Sequence, residues 1–387
     1  MKVEEMEFAS FFVLSSAEWI AFGAVCFLFV MHLLGLLRYR RVCSYVRAEE
    51  AMAEEDDVPL PPLSVVLVVH DEVELLQENL PAILEQDYPE FEVIVVNDTD
   101  SDEVEEALGS LQARYSNLYH TFVPAEGCRV SRRKLALTIG IKATHYKHLV
   151  FTGCDCRPSS PQWLRKMGAG FADGKELVFG YSRYLPSENR HERRVRFAHF
   201  FAQLRYLSSA LAGKPYMAYG KNLAYCKELF FRQKGFAGYF HIIGGEDDVF
   251  VNRAASAENV SVVLSPESVV EITACPWPSL WRQECFVRRQ SAALLRGGQP
   301  FSWMAEDVLC FLFQLSAVAL GAYGAWVAHY GLTVAAVVLL LVRFGVFATL
   351  MRSACRALQE PPFCIPLLFL AVRRTVSGLF SASRTRR

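Results

Sequence analysis

The sequence contains neither a G-x-G-x-x-G run nor a G-x-x-x-x-G-K-[S/T] run. Without these phosphate-cradling loops, a dinucleotide oxidoreductase and a P-loop NTPase are both disfavoured. Net charge is nearly absent: 40 Lys and Arg stand against 41 Asp and Glu. With no basic excess, no nucleic-acid partner is expected. The 11 cysteines have no regular spacing, so they read as reduced thiols rather than a disulfide framework. Internal repeats are also lacking.

Apolar residues are abundant, 52% of the chain, and unevenly spread. Residues 19–37 form an uncharged apolar run long enough to cross a bilayer as a helix. Glu4, Glu5 and Glu7 precede it, the opposite of a signal-peptide start, and no small-residue cleavage site follows, so a retained anchor is expected. Further spans are expected over 308–328 and 331–351, the latter enclosing Arg343. An Arg at that depth must snorkel or face other helices. Residues 363–372 are apolar but too short to span, and read as interfacial or re-entrant. Arg38, Arg40, Arg41 and Arg47 follow the first span, Arg352 and Arg356 follow the third, and five more Arg crowd the tail. The turn at His329 and Tyr330 carries no Lys or Arg. The positive-inside rule then puts the N-terminus outside and the 40–305 region and the tail in the cytoplasm, at the cytoplasmic membrane.

The expected organisation is an anchor over 1–40, an acidic linker ending in Pro over 41–62, a cytoplasmic domain over 63–300, two membrane helices over 301–352, and an interfacial segment with a basic tail over 353–387. Within the domain, strands are expected at 64–69, 91–98, 119–123 and 148–152, with helices at 74–86, 102–115 and 131–143. Strands alternating with helices make an α/β fold with a mostly parallel sheet covered on both faces. Ligands bind such sheets at the carboxyl ends of the strands. That edge collects His70, Asp71 and Glu72, then Asp98, then Asp155.

Each polar position also has a structural reading. Asp98 precedes Thr99-Asp100-Ser101-Asp102, a turn and cap composition. Lys134 is either a solvated position or a phosphate clamp at a helix start. Asp155 is flanked by Cys154 and Cys156, and C-x-C without a second pair is weak support for zinc. Glu246, Asp247 and Asp248 follow two glycines, where carboxylates also complement a helix dipole. The stretches 193–207 and 276–290 mix aromatics with Arg, as an interfacial helix does; a core helix is equally compatible with the former.

Taken in order, these motifs resemble the family-2 glycosyltransferases, membrane-associated enzymes of the GT-A fold. SVVLVVHDE resembles the first strand and its end, with Asp71 where the family has Asn and Glu72 kept. QDYPEFEVIVVNDTDSD is similar to the second strand, where the Asp98 position holds the nucleotide base. VSRRKLALTIGIKA resembles the helix whose Lys, here Lys134, lies near the donor diphosphate. FTGCDCRPSSPQWL resembles T-D-A-D-x-x-P with W-L, with Asp155 at the metal-contacting position and Gly153 where the first Asp of D-x-D stands. YGKNLAYCKELF, with Gly220 and Asn222, resembles the acceptor-side segment, and GGEDDVF the E-D motif of the catalytic base. RQECFVRRQSA, with Arg288 and Arg289, resembles the motif that closes over the donor.

The resemblance implies an inverting transfer from a nucleotide-sugar, UDP- or GDP-linked, to a hydroxyl of a lipid-linked or membrane-presented acceptor. Its residue assignments are Asp247 as base with Glu246 in support, and Glu72, Asp98, Lys134, Asp155, Arg288 and Arg289 on the donor. Gly220, Asn222, Asp248 and Trp281 fall on the acceptor side, and Mg2+ or Mn2+ is the expected cofactor. Such a metal, with Lys or Arg nearby, neutralises the charge of the departing diphosphate, and the attacking hydroxyl needs a carboxylate base. The closing motif lacks Q-x-x-R-W spacing, which implies addition of one or a few sugars. Gly153 keeps a second class in view, a catalytically silent membrane scaffold that binds nucleotide-sugar or a partner enzyme.

Overall fold

The computed structural model describes residues 14–51, 59–99, 101–124, 131–361 and 363. The chain enters as helix α1 (Ser16–Leu36) and, after a 3-10 turn, continues as α2 (Arg40–Ala51). Strands and helices then alternate: β1 (Leu63–Val69), α3 (Val73–Leu84), β2 (Phe91–Asn97), α4 (Asp102–Arg114), β3 (Leu118–Phe122), α5 (Arg132–Ala143) and β4 (His148–Phe151). Shorter elements follow: β5 (Cys156–Pro158), α6 (Trp163–Ala169), β6 (Leu177–Phe179), β7 (Ser182–Tyr184), α7 (Arg190–Ala210), β8 (Leu223–Cys226) and α8 (Lys227–Arg232). The remainder is α9 (Asp248–Ala254), β9 (Val260–Val262), β10 (Val270–Ile272), α10 (Pro278–Ala292), α11 (Gly298–Trp326) and α12 (Tyr330–Ala357).

These elements divide into two units: residues 42–300 with 357–361, and residues 1–41, 301–356 and 362–387. In the first, a seven-stranded sheet runs β3-β2-β1-β4-β8-β6-β9, and a three-stranded sheet runs β5-β10-β7. Strands β1 to β4 pair in parallel, with β8 inserted antiparallel between β4 and β6. The apolar run of β1 is explained by cover on both faces. Val65, Leu67 and Val69 pack with Leu76, Leu80 and Ile83 of α3. The alternate residues of β2, Ile94 and Val96, pack with Ala136 of α5. A two-residue side-chain period on the strands thus meets a helix on each side.

Parallel register brings all the β1, β2 and β4 ends to one edge, with Val69 opposite Asn97 and Val66 opposite Phe151. Because β8 runs the other way, Leu223 at its start lies opposite Phe151 at the end of β4. The loop entering β8 therefore arrives at the same edge. This register positions the site described below.

One expectation changes, and one pair of open readings resolves. The linker expected over 41–62 begins as α2, whose Val42 and Val46 are buried, whose Tyr45 donates to the Val262 carbonyl at 2.6 Å, and whose Glu49 accepts from the Leu264 N–H. Residues 193–207 lie within α7, where Val195, Phe197, Phe200, Phe201, Leu204 and Leu207 are buried; the core-helix reading holds there.

In the second unit, α1, α11 and α12 belong to segments long and apolar enough to cross a membrane. Phe29 meets Phe313 at 5.5 Å between ring centroids. Arg343 is buried and faces other helices, its guanidinium 3.3 Å from His32 Nε2 and 3.0 Å from Cys310 Sγ. An intramembrane Arg is tolerated on such terms. The expected interfacial stretch 363–372 lies outside the described residues apart from Phe363.

Residues 357–361 are held to the first unit by charge. Glu360 accepts from Tyr181 Oη at 2.7 Å and from Arg196 Nε at 3.0 Å, and both partners are buried. Removing one member of a buried pair is strongly destabilising. Glu360→Ala is expected to destabilise this unit by about 3–5 kcal/mol, read as a lowered unfolding midpoint of the detergent-solubilised protein.

Candidate active site

Gly244 and Gly245 have φ of 77° and 87°, a left-handed conformation that glycine adopts without steric penalty. They turn the chain so that Glu246 and Asp247 lead into α9, which begins at Asp248. Asp247 caps that helix: its carboxylate accepts from the Asp248 N–H at 3.0 Å and from the Gly220 N–H at 2.7 Å. Glu246 pairs with Arg133 Nε at 3.0 Å. Asp248 is buried and accepts from Ser291 Oγ on α10 at 2.5 Å and from the Val249 N–H at 2.7 Å. Each acid therefore has a different environment.

The next residue along from Gly220 reaches the other acid of the edge. Lys221 Nζ lies 2.5 and 2.7 Å from the two Asp155 carboxylate oxygens. Thr152 Oγ1 donates to the Lys221 carbonyl at 3.1 Å, fixing that loop to the end of β4. The Gly220–Lys221 dipeptide thus joins Asp247 through its backbone and Asp155 through its side chain. Burial pushes the Asp155 carboxyl up, and the Lys221 ammonium more than offsets this, leaving it below its ordinary range. A Cβ at Gly153 would lie 2.4 Å from Asp155 Oδ1 and 3.0 Å from Lys221 Nζ. The ion pair occupies the room a side chain at 153 would need.

A second cluster sits at the ends of β1 and β2. Arg132 Nε donates to Asp98 Oδ1 at 2.8 Å, and its Nη2 to the Asp98 carbonyl at 3.1 Å. Thr99 Oγ1 donates to Asp71 at 2.9 Å, and Glu72 accepts from the His70 N–H at 3.0 Å. Arg132 and Arg133 are consecutive at the start of α5, so one helix end serves both acid groups.

Several expected site residues have structural partners. Lys134 is fully buried and donates to the Tyr239 and Ile242 carbonyls, both at 2.8 Å. It braces the loop that leads to Gly244 instead of facing an open cleft. Asn222 is also buried, donating to the Tyr181 and Ser268 carbonyls and accepting from Trp163 Nε1. Arg288 lies 4.4 Å from the Tyr219 ring centroid and 5.9 Å from that of Trp281, which packs partly buried on the core. Arg289 is exposed. Burial pushes the Cys154 and Cys156 thiols up to about 12.

Arg132, Arg133 and Lys221 complete the arrangement, and none was singled out from the sequence. The signal was present in the motifs, which place Arg132 and Arg133 beside Lys134 and Lys221 between Gly220 and Asn222. Among the described residues, no three or more His, Cys, Asp and Glu side chains converge as a metal-holding group. At the expected metal position there is one carboxylate, and both its oxygens already meet an ammonium.

Residues 64–241 match the family model described as glycosyl transferase family 2. No curated protein matches the chain. Among solved structures, the mannosyltransferase PcManGT from Pyrobaculum calidifontis, in complex with GDP-Man and Mn2+, is similar at 18% identity with a TM-score of 0.54. That similarity covers 90% of this chain and 99% of that one, and it extends to a GT-A-like fold. GalNAc-T7 with UDP, GalNAc and Mn2+ aligns at 14% identity and a TM-score of 0.43, over 56% of this chain and 44% of that one.

Burial, then the neighbouring Asp247, push the Asp248 carboxyl up to about 7, against the Ser291 and Val249 hydrogen bonds. An unfolded Asp titrates near 3.9, so between about pH 4 and 7 the folded state holds the extra proton. This group's contribution to stability is then fully present at low pH and declines as pH rises through that window. Asp248→Asn keeps an acceptor for Ser291 and removes the titration. Its unfolding midpoint is expected to fall less than that of the wild type between pH 5 and 8, measured by thermal unfolding in matched buffers.

Proposed function

From a chain that carries a family-2 glycosyltransferase domain over residues 64–241, we propose an inverting glycosyltransferase that moves a sugar from a UDP- or GDP-linked donor to a hydroxyl of a lipid-linked or membrane-presented acceptor. The observation that carries this reading is the state of Asp247. Glu246 is paired with Arg133, and Asp248 is buried against Ser291. Asp247 accepts only from two backbone N–H groups among the described residues. An ionised carboxylate oxygen offers more than one lone pair, so each Asp247 oxygen keeps acceptor capacity for an incoming hydroxyl. The N–H groups orient the carboxylate without neutralising it, which suits a general base.

Donor residues are assigned on the same grounds. Asp98, oriented by Arg132, receives the nucleotide base. Arg133, with a side chain 55% exposed, and Arg288, stacked on Tyr219, meet the negative charge of the departing diphosphate. A single displacement follows: the hydroxyl attacks the anomeric carbon, its proton passes to Asp247, and the nucleoside diphosphate leaves. The PcManGT neighbour holds Mn2+. In this chain the residue set at Gly153 and Asp155 does not fit a divalent cation as it stands, so no step runs through one. The Arg-rich flanks of the spans support a catalytic unit facing the cytoplasm, with acceptors delivered by the bilayer.

The test uses full-length protein in detergent or proteoliposomes, with UDP- and GDP-sugars and membrane lipid extracts. Release of nucleoside diphosphate coupled to glycosylated lipid is the expected outcome. Asp247→Asn is expected to lower the rate by about 10²–10⁴-fold, with donor affinity little changed. Asp247→Asn at wild-type rate would reject the base assignment. Donor binding without turnover on any acceptor would favour the silent scaffold.

A further inference from the structure

Resting on that reading, we propose that Lys221 takes the place of a divalent cation in the donor site, so that the chain binds nucleoside diphosphates without metal. The ammonium occupies the room opened by Gly153. It lies 2.5 and 2.7 Å from the two oxygens of Asp155, and a Cβ at residue 153 would come within 3.0 Å of it. A side chain at 153 would therefore force the Lys221–Asp155 pair to shift from this geometry.

Charge arithmetic points the same way. Two carboxylates balance one divalent cation; removing one leaves a site that a single ammonium balances. A metal at this point would have to displace Lys221 from Asp155, or share one carboxylate with a fixed positive charge beside it, and like charges at such range repel strongly. The Lys221 ammonium has three donors, two of them engaged by Asp155, which leaves one for a phosphate oxygen. It is also accessible, its side chain 28% exposed. Its position does not depend on the carboxylate alone, since Thr152 holds the Lys221 carbonyl and Leu223 is in register with Phe151. Arg133, paired with Glu246 nearby, adds a second cation at the same edge.

The experiment is calorimetric titration of the full-length protein in detergent with UDP and with GDP, first in EDTA and then with Mn2+ or Mg2+. The expected result is binding of at least one of the two in EDTA, with affinity changed by less than about threefold on adding metal. Lys221→Ala is expected to weaken that binding by about tenfold or more, the scale of one charge-assisted hydrogen bond, and Lys221→Arg to retain most of it. Gly153→Asp combined with Lys221→Ala is expected to bind only when Mn2+ is present. Wild-type binding that vanishes in EDTA and returns with Mn2+ would overturn the proposal while leaving the glycosyltransferase reading intact. Wild-type affinity in a folded Lys221→Ala would overturn it equally. No binding of UDP or GDP in either condition would remove both readings. The wild-type arm requires no variant, so it decides even where Lys221→Ala fails to fold.

Discussion

The site depends on the ion pair between Lys221 and Asp155. Both groups are only partly withdrawn from bulk water; that partial burial by itself disfavours charge on each, and the two short contacts to one ammonium restore it. Such a pair is retained only where geometry is fixed, and the backbone fixes it. Parallel pairing sets the end of β4, antiparallel pairing sets the start of β8, and Thr152 bonds across the junction. Lys221 then reaches Asp155 while the preceding Gly220 N–H reaches Asp247. Asp247 and Asp155 are thus held by adjacent residues of one loop.

The start of α5 performs a similar distribution. Arg132, Arg133 and Lys134 are consecutive, and successive residues of a helix point about 100° apart. Their three charges consequently serve three partners: Asp98, Glu246 and the carbonyls of Tyr239 and Ile242. Lys134 is fully buried because its ammonium closes two carbonyls that would otherwise be unsatisfied in a loop. That loop delivers Gly244, Gly245 and the acids. Lys134 thus acts on the site through the backbone it braces, while its exposed neighbour Arg133 acts by charge.

Much of this architecture was legible in the residues. The apolar runs expected at 64–69 and 91–98 are β1 and β2, because a strand covered on both faces leaves an uninterrupted hydrophobic record. The three apolar spans are helices of sufficient length. Asp98 and Asp155 were named because parallel strands bring their ends to one edge, and Asp247 from the run of three acids after two glycines. Arg132, Arg133 and Lys221 were not, since a basic residue in a sequence records no direction. The direction comes from helix phase and strand register, both tertiary. Asn222 shows the reverse. Its sequence motif suggested an acceptor contact, yet its amide links Tyr181, Ser268 and Trp163. The linker expected over 41–62 failed at its start for another reason. An acidic, Pro-ended composition describes its second half, whereas Val42, Tyr45 and Val46 at its start are apolar or aromatic and belong to a packed helix.

Three consecutive carboxylates cannot all carry charge in a low-dielectric setting, because each raises the next. The fold resolves Glu246, Asp247 and Asp248 by giving each a different counterpart. Burial raises Glu246, and Arg133 opposes that shift. Asp248 is driven up to about 7 by burial and then by Asp247, and is turned inward onto Ser291. Among the described residues, Asp247 takes only peptide N–H groups, from Gly220 and Asp248. The E-D-D run is therefore three acids in three environments: Glu246 on Arg133, Asp247 on backbone N–H groups and Asp248 on Ser291.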